Sequence, residues 1–195
     1  YELPLSGFQE RIDNRKKAIQ QRLQADATLF KIDGFLSTDS IKNFVYQSFD
    51  DQDQTAAYRG TGGRSLNIST PQIIFEGKIP NTKKGNNINL SFWAHDLRKF
   101  PLANTFVNVK LIDPKTGVVL WRHRPQIRYF LKVMANDGWS LVDLPFKLPA
   151  DGVLEVSILN KAMEDELFLM DELIIRKGGT NLYRAGENYW NGRVY

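Results

Sequence analysis

His95 and His123 are the only two histidines in a chain of 195 residues, and cysteine is absent. Zinc-hydrolase chemistry on a helix needs two histidines four residues apart, and no such pair exists here. Neither a G-x-S-x-G elbow nor a P-loop occurs. Glu164, Asp165 and Glu166 bring three carboxylates together, but adjacency within a loop does not set two carboxyls across a scissile bond. Without cysteine there are no disulfides, thiolate metal sites or cysteine nucleophiles. Carboxylates distant in sequence could still meet in a cleft. The residue inventory nonetheless favours a protein that binds over one that catalyses.

Aromatic rings are the better-placed chemistry. In the stretch 87–95, Ile88, Leu90, Phe92 and Ala94 alternate with Asn89, Ser91, Trp93 and His95, so Trp93 falls on a polar face. A flat ring flanked by hydrogen-bonding side chains is what a sugar platform requires. Asn108 and Lys110 in 105–112, and Trp121 and His123 in 118–123, would extend it. The plainer reading buries Trp93 as satellite core under an N-terminal helix or a loop, and large aromatics are usually well buried. A one-residue bulge would turn the ring inward instead.

Arg122, Arg124, Arg128 and Lys132, interleaved with Trp121, Tyr129 and Phe130, form the most basic stretch. Rings and cations together can bind single-stranded nucleic acid. Here Pro125 interrupts the run, no nucleic-acid signature accompanies it, and the net charge is only +4, from 26 basic and 22 acidic residues. The stretch reads as a solvated loop between strands, and no nucleic-acid partner is expected.

These residues must be held by strands. Residues 8–26 lack Gly and Pro and read as the single sizeable helix, with a thin apolar stripe of Phe8, Ile12, Ile19 and Leu23. From Thr28 the period becomes two. Strands are expected at 28–35, 43–49, 64–69, 73–78, 87–95, 105–112, 118–123, 139–147, 153–160 and 167–176. Turn sequences such as Asp113-Pro-Lys-Thr-Gly117 and Asn136-Asp-Gly138 separate many of them. Many short strands without alternating helices indicate a sandwich or barrel. The expected organisation is a helical lead-in at 1–27, a β-sandwich at 28–178 and a tail or linker at 179–195.

The order of several short motifs then resembles the galactose-binding-like jelly rolls, a group that includes many carbohydrate-binding modules. They are Phe44–Asp50 (FVYQSFD), Gly63-Arg-Ser-Leu66, Leu90-Ser-Phe-Trp93, Gly138-Trp-Ser-Leu141 and Leu167-Phe-Leu-Met-Asp171-Glu-Leu. The likeness covers roughly residues 40–176. It implies an all-β, antiparallel jelly-roll β-sandwich with one N-terminal helix. It also implies a structural calcium tying the early loop to the last strand through Asp50 or Asp51, the backbone near 59–63, and Asp171. Calcium takes six to eight hard oxygens, which carboxylates and loop carbonyls supply. An acidic turn is the plain alternative for Asp50, Asp51 and Asp53.

Apolar runs reach only four or five residues, as in Val118–Trp121, too short to span a bilayer. The chain opens at Tyr1, so the lack of a signal peptide says nothing about export. Two functions fit. One is a non-catalytic carbohydrate-binding module of a periplasmic, cell-surface or secreted protein, with a glycan partner. The other is an assembly module that binds another envelope protein.

Overall fold

The computed structural model describes residues 5–30, 44–47, 49, 58, 63–79, 82–95, 104–134, 138–160, 162 and 167–178. Helix α1 (Leu5–Phe30) precedes the strands β1 (Val45–Gln47), β2 (Arg64–Asn67), β3 (Gln72–Gly77), β4 (Asn87–His95) and β5 (Phe106–Ile112). They are followed by β6 (Val119–His123), β7 (Leu131–Met134), β8 (Trp139–Lys147), β9 (Val153–Leu159) and β10 (Leu167–Lys177). A 3₁₀ turn, Ile127–Phe130, joins β6 to β7.

The larger sheet runs β1-β10-β4-β8-β7, with β2 also paired to β10, and the smaller runs β3-β9-β5-β6. Every pairing among the described strands is antiparallel. The chain crosses repeatedly between the two layers, giving the jelly-roll sandwich with one helix that the motif order implies.

Alternating side chains build the interior. Ile88, Leu90, Phe92 and Ala94 of β4 join Val142, Leu144 and Phe146 of β8 on one wall. Val107, Val109 and Leu111 of β5, with Leu154, Val156 and Ile158 of β9, form the other. Each fully buried Val, Leu, Ile or Phe among them contributes roughly 1.5–3 kcal/mol. Gly117, at φ 71°, closes the turn into β6 with its N–H on the Asp113 carbonyl at 2.9 Å. Only glycine takes that left-handed conformation without a Cβ penalty.

β10 breaks its own alternation. Phe168, Met170, Leu173 and Ile175 face the core, and the register against β4 shifts between Asp171 and Ile174. Glu172 absorbs the extra residue at φ 52°. The bulge thereby sends Ile174 to the far side of the sheet, where it is also fully buried.

Two expectations fail here. The strand expected from Thr28 does not begin there, because α1 continues to Phe30. Ala25, Ala27 and Leu29 favour helix, and neither Gly nor Pro occurs between Phe8 and Asp33; residues 31–35 lie outside those described. The expected loop through Arg122–Lys132 in fact holds the end of β6, the 3₁₀ turn and the start of β7. Pro125 and the dense charges mask a strand of only four residues.

Candidate functional site

The far face of the larger sheet is a second buried layer. Trp93 stands outside the main core but is only 2% exposed. The Tyr58 ring lies flat on it, with centroids 3.8 Å apart and planes 16° from parallel. Trp139 meets Tyr58 edge-on at 5.9 Å, and His95 meets Trp139 at 5.0 Å. Strand parity gives Trp93 its direction correctly, but the wet face expected there is covered. With Tyr58 on its ring, Trp93 offers no sugar platform in this conformation.

Polar groups complete this layer. Arg176, 1% exposed, donates from Nη1 to Ser91 Oγ at 3.1 Å, and its Nη2 lies 3.6 Å from Asp143 Oδ1. Asn89 Nδ2 donates to the same Asp143 oxygen at 3.1 Å. From α1, Arg15 Nε donates to Glu172 Oε1, an ion pair whose carboxylate is fully buried. Ile19 of α1 is buried too, outside the main core. Buried charges persist only when so paired.

Asp171 is fully buried, and both of its oxygens accept backbone hydrogens. Tyr58 N–H donates to Oδ2 at 2.9 Å and Glu172 N–H to Oδ1 at 2.6 Å. The pairing of Gln47 with Leu173 carries the end of β1 toward this bulge. Asp50 and Asp51, with residues 59–62, lie outside the described residues, and no three acidic or histidine side chains converge on a metal among those described. The described part of the link from residue 58 to the last strand is a hydrogen bond through Asp171.

The other expected ligand-binding residues sit elsewhere. Asn108 and Lys110 occupy the outer face of the smaller sheet and are satisfied by neighbours on β9. Asn108 Nδ2 donates to Ser157 Oγ at 3.2 Å, and Lys110 Nζ donates to Glu155 Oε1 at 2.5 Å. Trp121 and His123 pair with Leu111 and Val109, which are core residues, so they lie on the inner side of β6. Their rings stack at 5.6 Å, and Trp121 also stacks on Phe146 at 6.0 Å. Partial burial holds the His123 pKa below its ordinary value. The six residues thus fall in three separate places, not in one groove.

A hollow at one end of the sandwich is floored by Ile79, Leu111, Leu148 and Leu154. Its Asp151 carboxylate already accepts the Lys84 N–H at 2.6 Å, closing the adjoining loops.

The accessible feature is the β6 edge. Among the described residues β6 pairs only with β5 and ends the smaller sheet. Val118, Val119 and Leu120 are 58%, 42% and 46% exposed, and Tyr129, in the 3₁₀ turn beyond the other end of β6, is 66% exposed. The cause is a bulge. Trp121 pairs with Leu111 and Val119 with Ile112, which leaves Leu120 opposite no residue. Val119 follows Ile112 to the outer face, while Trp121 stays inside. Arg122, exposed, stands opposite Lys110; Arg124 lies over the Phe106 ring at 4.6 Å and Arg128 over Tyr129 at 4.7 Å. The sequence marks 118–123 as a strand and offers Trp121 and His123 as platform residues, but Val118, Val119 and Leu120 only as an apolar run; their exposure depends on the bulge and the edge position, which no local pattern reports.

No family model matches the chain, and no curated protein matches it in sequence. Among solved structures the chain is similar to a chain of the complex of accessory secretory proteins 1, 2 and 3 of Streptococcus pneumoniae. That match has 16% identity and a TM-score of 0.39 over 68% of this chain and 96% of that one. It is also similar to a Clostridium thermocellum endo-1,4-beta-D-xylanase with CBM22-1 and GH10 modules, at 19% identity and TM-score 0.38. There the match covers 78% of this chain and 27% of the other. A CBM22-1 xylan-binding domain from Paenibacillus barcinonensis is similar at 10% identity and TM-score 0.35, over 68% and 92% of the two chains. These likenesses concern the fold alone. No helix among the described residues is long and apolar enough to cross a membrane.

Proposed function

We propose that this domain is a non-catalytic interaction module of an envelope or exported protein, and that it docks a partner protein at the β6 edge. The observation that carries this reading is the exposure of three consecutive aliphatics, Val118, Val119 and Leu120, on a sheet edge that continues into the exposed Arg122 and Arg124. Exposed aliphatics beside arginine are the composition of a protein interface. Sugar hydroxyls would find no matching donors on Val or Leu side chains.

A photoreactive residue at position 120 of the parent protein in its own cells tests this. Crosslinking to one defined protein, lost on Val119→Asp and absent from the same probe at Val153, is the expected result. Adducts spread equally from both positions would overturn it.

The second reading is a glycan-binding module, favoured by the stacked Trp121–His123 pair at the same edge. A glycan array read with and without a chelator addresses it. Retained binding that falls tenfold or more in Trp121→Ala, with the fold intact, would place sugar recognition at this edge.

A further inference from the structure

The β6 edge carries more information than an apolar patch. A strand at the end of a sheet presents alternate N–H and C=O groups outward, a template for one more strand. Native edges are commonly guarded by a lysine, a proline or a covering element. Here Pro125 stands beyond the strand, and within β6 the one charged side chain is Arg122.

Cations outnumber anions around that template, where Asp113, across from Val118, accepts the Lys115 N–H within its own turn. Among the described residues no carboxylate pairs with Arg122, Arg124, Arg128 or Lys132. Lys110, the cross-strand neighbour of Arg122, has its own carboxylate in Glu155. Arg124 rests on the Phe106 ring, which leaves its guanidinium edge open to a carboxylate, whereas Arg128 lies over Tyr129 and donates from Nη2 to the Tyr129 hydroxyl at 2.7 Å. Lys132, exposed, is the second residue of β7, at the edge of the larger sheet.

We infer that β6 accepts an extended, acidic peptide segment as a fifth strand of the smaller sheet. This deepens the docking reading above and rests on it. The side-chain order of β6 specifies the segment. Opposite Val119 and Leu120 it carries apolar residues, and opposite Arg122 and Arg124 it carries Asp or Glu. On its other face it carries an apolar residue over Trp121. Backbone hydrogen bonds supply affinity, and the acid-to-arginine pairing fixes direction and register. A polyanion such as nucleic acid would use the arginines but not the aliphatics or the backbone.

Synthetic ten-residue peptides test the inference on the whole domain. One alternates Glu or Asp with Val, Ile and Tyr. The second replaces each acid with Lys, and the third is the acidic peptide with a central Pro. Oligo(dT) serves as the polyanion. The expected result is saturable binding of the acidic peptide, weakened at least tenfold by the Pro, with slowed amide exchange confined to 118–124. Arg122→Glu with Arg124→Glu should reverse the preference toward the Lys peptide, and its unchanged melting curve would show that the fold persists. Equal binding of both peptides, binding of oligo(dT) with the same amide protection, or no peptide binding at millimolar concentration would overturn the inference. Self-association that is abolished by the double variant would make a second copy the occupant and overturn it too. A specific crosslink from position 120 without acidic-peptide binding would keep the docking reading and defeat only this one.

Discussion

Tyr58 lies flat on Trp93, 3.8 Å between ring centroids, and the same residue's N–H holds Asp171 Oδ2 at 2.9 Å. One residue thus closes the far face of the larger sheet twice, by its ring and by its backbone. Trp93 is consequently a packing residue, and Trp93→Ala should cost about 3–5 kcal/mol of folding stability, as large core truncations do. Denaturant unfolding measures this. A variant that unfolds like the parent would restore Trp93 as a surface ring.

Asp171→Ala removes the acceptor of two buried backbone hydrogens and should destabilise by about 2–5 kcal/mol, since each orphaned amide costs about 1–3 kcal/mol. Asp171→Asn keeps one acceptor oxygen and should lose less. Each Asp171 oxygen accepts an amide hydrogen, a link that needs no metal, so the expected effect of a chelator on the parent's melting temperature is nil. A fall of several degrees on chelation, absent in Asp171→Asn, would instead show a calcium held with Asp50 or Asp51, because a ligand held only by the native state stabilises it.

Much of the sandwich is legible because burial imposes period two. β4 and β8 span the residues that alternation and turn sequences mark, and Ile88, Leu90, Phe92 and Ala94 are buried together on one side of β4. The site is less legible for reasons outside any strand's own sequence. Trp93 faces away from the core as parity requires, yet its exposure depends on Tyr58, 35 positions earlier. The six ring and polar residues expected together share strand patterns but not a sheet face. Alternation says which residues lie on one side of a strand, not which sheet the strand joins. Likewise Val119 and Leu120 become exposed through a bulge against β5, a pairing property that a single strand does not encode.

Arg15→Ala should be costly despite its place on a mostly polar helix. Glu172 is fully buried, and losing the guanidinium leaves its charge without that partner. Breaking such a pair from one side costs about 3–5 kcal/mol. Adding Glu172→Gln should recover part of the loss, because the uncompensated charge goes with it. A double-mutant cycle by chemical denaturation reads the coupling. Strict additivity would mean that the pair contributes nothing and that α1 is held by Ile19 and its neighbours.

The acid limb of stability should carry a contribution from His123. Its pKa in the fold lies below the ordinary value of 6.5 because partial burial beside Trp121 disfavours the charged ring. The unfolded chain therefore takes up the proton first as pH falls. The contribution is fully present above about pH 6.5, the unfolded value, and is lost as pH drops through the lower folded value. The ring is substantially exposed, which keeps the effect small. It is isolated by comparing the parent with His123→Gln, which has no proton to take up. The parent's unfolding midpoint should decline between pH 7 and 5 by more than the variant's, and the two curves should run parallel above pH 7. Parallel curves across the whole range would mean that His123 titrates alike in both states, and that its stacking on Trp121 leaves the ring as wet as in the unfolded chain.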